Sequence, residues 1–114
     1  MDAASVQEIF AAFGEVRCRR MFGGLGVYSE GVMFALVARG DLYLKADPAF
    51  ARSLEDRGAR PFVYEASGKS VNLGYWSLPE AALDDQEDAA DLARAALRVA
   101  LAAKARKSRP KGTG

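Results

Sequence analysis

Leu25-Gly26-Val27-Tyr28-Ser29-Glu30-Gly31-Val32-Met33-Phe34-Ala35-Leu36-Val37-Ala38-Arg39-Gly40-Asp41-Leu42-Tyr43-Leu44-Lys45 decides the fold. Three short runs, Leu25–Tyr28, Val32–Val37 and Leu42–Lys45, are rich in β-branched, aromatic and leucine side chains. Ser29-Glu30-Gly31 and Arg39-Gly40-Asp41 separate them, and short glycine-containing breaks between such runs mark hairpin turns. The stretch therefore predicts an antiparallel meander. Val32–Val37 is apolar on both alternating sets, Val32, Phe34 and Leu36 on one and Met33, Ala35 and Val37 on the other. A strand with one face in water alternates apolar with polar, so this one needs cover on its second face. Either the chain supplies that cover or a partner does.

Outward from the meander, Val16–Phe22 continues the strand pattern, with Arg17 and Arg19 on one face and Gly23-Gly24 as the break. Further on, Pro61–Glu65 and Val71–Leu78 predict a second hairpin around Ser67-Gly68-Lys69. Three helices frame these strands. Ser5-Val6-Gln7-Glu8 has the form of a capping box, followed by Val6, Ile9, Phe10 and Phe13 at helical spacing and by Gly14 as a stop. Asp47-Pro48 opens a middle helix, since Asp caps and proline suits the first helical position; Phe50, Ala51 and Leu54 form its inner face and Gly58 ends it.

Asp84 or Asp85 caps a long last helix. Its apolar stripe is Ala89, Leu92, Ala96, Val99 and Ala103, broadened by Ala93, Leu97 and Ala100. Acids lead and bases trail, as the helix dipole favours. The expected fold is α+β: an antiparallel sheet of about five to six strands, with an N-terminal helix, a middle helix and a long C-terminal helix packed mainly on one side. Residues 1–103 are expected to form the domain and residues 104–114 a basic, disordered tail.

Composition narrows the chemistry. Among 114 residues there is no histidine and one cysteine, Cys18. That removes Ser-His and Cys-His catalysis, histidine-ligated zinc, multi-thiolate metal sites and internal disulfides. Half the residues are hydrophobic, which suits a globular domain. No apolar run is long enough to span a bilayer and no leader pattern opens the chain, so a cytoplasmic protein without a membrane partner is expected. Lys104, Arg106, Lys107, Arg109 and Lys111 leave eleven basic residues against fifteen acidic ones elsewhere, a net charge of −4.

Gly23, Gly24 and Gly26 match neither the dinucleotide nor the Walker fingerprint, and a strand connection accounts for them. Asp84, Asp85, Glu87, Asp88 and Asp91 fit a helix start and its solvated face better than a Ca²⁺ loop, which needs six to eight oxygens. Cys18, despite Arg17, Arg19 and Arg20 around it, has no resolving thiol and is expected to be a small buried hydrophobe. Lys45, Lys69, Tyr64 and Tyr75 could act in acid-base catalysis only if a pocket tuned them, and nothing in their spacing indicates one. No catalytic, cofactor-binding or metal-ligating residue is assigned. The protein is not expected to be an enzyme.

Two surfaces remain. Tyr28, Tyr43 and Trp76 fall where an outer sheet face is expected, and such amphipathic rings suit an interface with a protein partner or with a second copy of the chain. Arg17, Arg19 and Arg20, together with Lys104, Arg106, Lys107, Arg109 and Lys111, are the candidates for nucleic-acid contact.

The blocks Arg20–Tyr28, Met33–Val37, Leu42–Asp47, Phe62-Val63-Tyr64, Gly68-Lys69-Ser70-Val71 and Tyr75-Trp76-Ser77-Leu78-Pro79 resemble, in that order, the N-terminal domain of the TfoX/Sxy family. The resemblance covers roughly Ile9 to Leu101. It implies an α+β domain of bacterial regulators of natural competence, which act with transcription machinery and carry a further C-terminal helical domain. It implies no catalytic residues. The chain stops soon after the matching blocks, so the expectation is a stand-alone domain of this type. The expected function is a non-enzymatic regulatory module acting through protein–protein contacts; the alternative is a nucleic-acid-binding accessory.

Overall fold

A computed structural model describes residues 1–21, 23–66 and 68–108, with backbone alone at 64–66, 69–73 and 108. The order is α1 (Ala3–Ile9), β1 (Arg17–Met21), β2 (Gly24–Ser29), β3 (Val32–Ala38), β4 (Asp41–Lys45), α2 (Pro48–Asp56), β5 (Pro61–Ala66), β6 (Lys69–Ser77), a 3₁₀ turn (Glu80–Asp84) and α3 (Gln86–Ser108). The six strands form one antiparallel sheet in the order β1-β2-β3-β4-β6-β5, so α2 carries the chain past β6 to the far edge and β6 returns beside β4. This is the α+β architecture that the sequence predicts.

The two hairpin turns of the meander are two-residue loops in which both residues have positive φ, Glu30 (52°) with Gly31 (78°) and Arg39 (53°) with Gly40 (82°). That is the type I′ geometry, whose twist matches the strands it joins. Its first position favours Asn or Asp, so Glu30 and Arg39 are held there against their own preference.

β3 resolves its doubly apolar pattern with a bulge. Val27 of β2 pairs with Ala35, yet the next residue, Tyr28, pairs with Met33, so Phe34 is an extra residue in β3. A bulge reverses the alternation beyond it. Val32, Phe34, Ala35 and Val37 consequently all reach the core, while Met33 and Leu36 turn to the other face. Phe34 is fully buried, its ring 5.6 Å from that of Phe10 and 5.3 Å from that of Phe13.

All three helices bury their apolar side chains on that inner face. Val6 from α1 and Phe10 just after it, Leu54 from α2, and Ala89, Ala93, Ala96, Leu97 and Ala100 from α3 join Val27, Leu42 and Leu44 in one cluster. The alanines let α3 lie close on β3 and β4, and the residues expected only to broaden its stripe, Ala93, Leu97 and Ala100, are its buried centre.

Two boundaries differ from expectation. The capping box at Ser5 does not form: Asp2 is the N-cap, its carboxylate accepting from Ser5 N–H at 2.9 Å, and the helix gives way to turns after Ile9. Asp caps as well as Ser does and favours the positive end of the helix dipole, and starting here sets Val6 and Phe10 four apart on the buried face. At the other end, α3 continues through Lys104, Arg106 and Lys107 to Ser108, five residues beyond the expected domain end. Alanine, lysine and arginine are strong helix formers, and cations suit a helix C-terminus. The middle helix agrees in detail, with Asp47 accepting from Phe50 N–H at 2.8 Å and Pro48 opening the first turn.

Candidate functional site

The face of the sheet opposite the helices is built from its own side chains. Arg19, Gly26, Leu36 and Tyr43 lie across it in one row of paired residues, and Arg17, Tyr28 and Met33 in the next. Gly26 makes a notch. A Cβ there would lie 2.8 Å from the sulfurs of both Met21 and Met33 and 3.0 Å from Tyr28 Cε1, so these three side chains lean into the space that glycine leaves. Met21, Tyr28, Met33 and Leu36 remain half-exposed around it. The Arg19 guanidinium lies 5.9 Å from the Tyr28 ring centroid.

Farther along this face the sheet covers itself. Tyr43 packs against Phe62 with ring centroids 5.0 Å apart and is 8% exposed. The Lys45 ammonium lies 5.1 Å from the centroid of Tyr75, which is 6% exposed. Burial, with a smaller contribution from the nearby Tyr28, pushes the Tyr75 phenol up to about 12. Burial also lowers the Lys45 ammonium, helped by the charges of Lys107 and Arg106. A tyrosine moved away from neutrality is a poor acid or base at pH 7, so this pair is better understood as a cation-capped aromatic contact. The side chains of Tyr64 and Lys69 lie outside the described residues.

The three aromatics predicted for partner contact separate. Tyr28 is half-open on the outer face and Tyr43 is buried there under Phe62. Trp76 pairs with Leu44 and packs against the inner core, on the helix side. The half-exposed set instead comprises Tyr28 with Met21, Met33 and Leu36, and the Phe34 bulge is what brings Met33 and Leu36, three apart in β3, to one face.

The arginines separate as well. Arg17 and Arg19 face outward at the edge strand, lining a cleft of about 500 Å³ with Tyr28, Glu30 and Gly31. Arg20 faces the other way and lines a cleft of about 820 Å³ at the opposite end of the sheet, with Arg39 and Gly24. Lys104, Arg106 and Lys107 are exposed on the last turns of α3. Arg109 and Lys111 lie outside the described residues. Cys18 is half-buried against the core side of β1, and burial pushes its thiol up, away from reactivity at neutral pH.

The acidic run at the start of α3 is engaged in helix structure. Asp85 Oδ1 accepts from Asp88 N–H at 3.1 Å, Asp88 takes both arms of Arg57 (3.0 and 2.6 Å), and Asp91 pairs with Arg94. Among the described residues no group of three or more carboxylate or thiol side chains is placed to hold a metal ion. None of the described helices is long and apolar enough to cross a membrane.

The profile of the TfoX N-terminal domain matches residues 8–100, from within α1 to beyond the middle of α3. The chain belongs to the TfoX N-terminal domain family. It is similar to Protein Sxy of Escherichia coli, 30% identical over 95 residues that make up 83% of this chain and 46% of that protein. It is likewise similar to DNA transformation protein TfoX1 of Aliivibrio fischeri, 30% identical over 84 residues, 70% of this chain and 40% of that protein. The chain thus spans less than half the length of these relatives. The matched segment contains the whole sheet and both outer-face rows, so the surface described above is part of the family domain itself rather than of an appendage.

Proposed function

We propose that this protein is a non-enzymatic regulatory module of the TfoX type that docks a protein partner on the outer face of its sheet, centred on Met33 and Leu36. One observation carries the reading: the helices all bury their apolar faces on the inner side, while Met21, Tyr28, Met33 and Leu36 stay half-exposed around the Gly26 notch on the other. Tyrosine, methionine and arginine are the residue types enriched at protein interfaces, and Arg17 and Arg19 rim this patch. Thioethers are flexible and polarisable, so a methionine-lined notch adapts to an incoming side chain. Family membership supports the regulatory role, and the name of the relative TfoX1 points to DNA transformation as the process regulated.

The test is affinity purification from native cells of the intact chain and of a Met33→Glu/Leu36→Glu variant, with quantitative mass spectrometry and nucleic-acid sequencing of what is retained. The variant should keep its circular-dichroism spectrum, because both side chains are half-exposed, and lose at least ~10-fold of a protein that the wild type enriches, as removal of interface anchors does. Equal retention by both proteins contradicts the reading. Light scattering on the purified chain identifies a second copy as the partner if the wild type is dimeric and the variant monomeric.

A further inference from the structure

A group of cations gathers around one end of the sheet, drawn there from parts of the chain far apart in sequence. Arg17 pairs with Tyr28 at the start of β1, and Arg19 lies over the Tyr28 ring. The Glu30-Gly31 turn closes this end, and Lys104 Nζ of α3 stands 3.8 Å from where a Cβ on Gly31 would be. Lys45 ends β4 at the same end, one step past the Ala35–Leu44 pair, with its ammonium over Tyr75. Arg106 and Lys107 follow Lys104 on the last turns of α3, and their charges act on the Lys45 ammonium.

Arg17, Arg19, Lys45, Lys104, Arg106 and Lys107 therefore form one strip. Glu15 and Glu30 are the carboxylates lining its cleft. Two carboxylates stand against six cations, and neither forms an ion pair with them: among the described residues the ion pairs are Arg57–Asp88 and Arg94–Asp91, both elsewhere. Like charges held together at a cost in mutual repulsion are the footprint of an anionic ligand.

We infer that this strip binds the phosphate backbone of a nucleic acid, without reading its sequence. The strip runs from an edge strand across the sheet end onto an extended helix, which suits a linear polyanion better than a single small anion. Long cationic side chains on strand and helix ends contact phosphates, whereas base reading needs one element laid into a groove, and these residues are spread over β1, β4 and α3. This binding shares Arg17 and Arg19 with the rim of the proposed protein-docking patch, but it does not use Met33 and Leu36, on which that patch is centred. Arg20, grouped with Arg17 and Arg19 by sequence, takes no part, because it faces the opposite end.

The experiment is fluorescence anisotropy of the intact chain with a labelled 20-base-pair duplex of mixed sequence, titrated from 50 to 300 mM salt. Binding should weaken with a linear log–log slope, and the Arg17→Gln/Arg19→Gln/Lys104→Gln variant should reduce that slope by about 2.7, at about 0.9 for each phosphate no longer neutralised. Affinity at 50 mM salt should fall at least ~10-fold. An Arg20→Gln/Arg39→Gln variant removes two charges at the opposite end of the sheet and should bind as the wild type does. Equal weakening in the two variants, or no binding at 50 mM salt, overturns the inference. Competition by poly-glutamate as effective as by unlabelled duplex at equal charge overturns it in favour of an acidic protein segment. All the substituted positions are exposed arginine or lysine side chains, and matching urea midpoints confirm that each variant is folded.

Discussion

Gly24 and Gly26 stand two residues apart in β2, yet they are glycine for different reasons. A Cβ on Gly24 would run into the Val37 carbonyl oxygen, which is backbone and cannot move aside. A Cβ on Gly26 would meet the far ends of Met21 and Met33, which can. Gly24→Ala should therefore cost about 3 kcal/mol or more in urea unfolding and Gly26→Ala about 1 kcal/mol, within the range for overpacking. A reversed order would contradict the account of the notch. Cys18 gives a chemical check at the same scale. With its thiol raised by burial, iodoacetamide labelling of the native protein should be slow at pH 7, whereas urea-unfolded chain labels more readily at the same pH. Fast native labelling at pH 7 would mean that Cys18 is not packed as described.

At the scale of elements, both I′ turns carry a residue ill-suited to positive φ. Arg39→Asn should stabilise the protein by about 0.5–1 kcal/mol in urea, by relieving the left-handed strain of an arginine. An unchanged or lower midpoint would show that Arg39 is held there by more than the turn. The contact between α2 and α3 has a pH signature. Arg57 donates two hydrogen bonds to Asp88 and holds that carboxyl below the usual carboxylate range. A lowered native pKa means the contribution is present above about pH 4, the unfolded value, and is lost as pH falls through the native value. Arg57→Gln should therefore cost up to about 1 kcal/mol at pH 7, as partly exposed pairs do, and progressively less as the pH falls below about 4. A gap that persists at pH 2 would assign the effect to packing instead.

Elements are legible in the sequence where local chemistry dictates them. Glu30-Gly31 and Arg39-Gly40 announce turns, and Asp47-Pro48 opens a helix because capping and proline geometry act within one turn. The cap of α1 is ambiguous in sequence because Asp2 and Ser5 are both good caps, and only the burial of Val6 and Phe10 chooses between them. The bulge at Phe34 leaves no local mark. An extra residue in one strand is defined by the partner's register, so alternation alone assigns neither Met33 and Leu36 to the outer face nor Trp76 to the inner one. The same holds for the arginines: Arg19 and Arg20 are adjacent in sequence and face opposite sides of the sheet, while Lys104 joins Arg17 only through the docking of α3.

For the molecule as a whole, the sheet divides the work. Its inner face, with all three helices, holds the fold together, and its outer face carries the adaptable apolar notch and the cationic end. No histidine is available to make either surface a switch near neutral pH, so binding at both should be insensitive to pH between about 6 and 8. The partner proposed for the outer face would sit in the notch, against Met33 and Leu36. Photo-cross-linking tests it most directly, with a photoreactive phenylalanine analogue placed at position 33 or 36 on the outer face, or at 83 on the exposed 3₁₀ turn, and irradiated in native cells. A partner docked at the notch gives a discrete adduct with one protein from positions 33 and 36 and none from 83. An adduct from 83 alone, or none from 33 and 36, would contradict that docking.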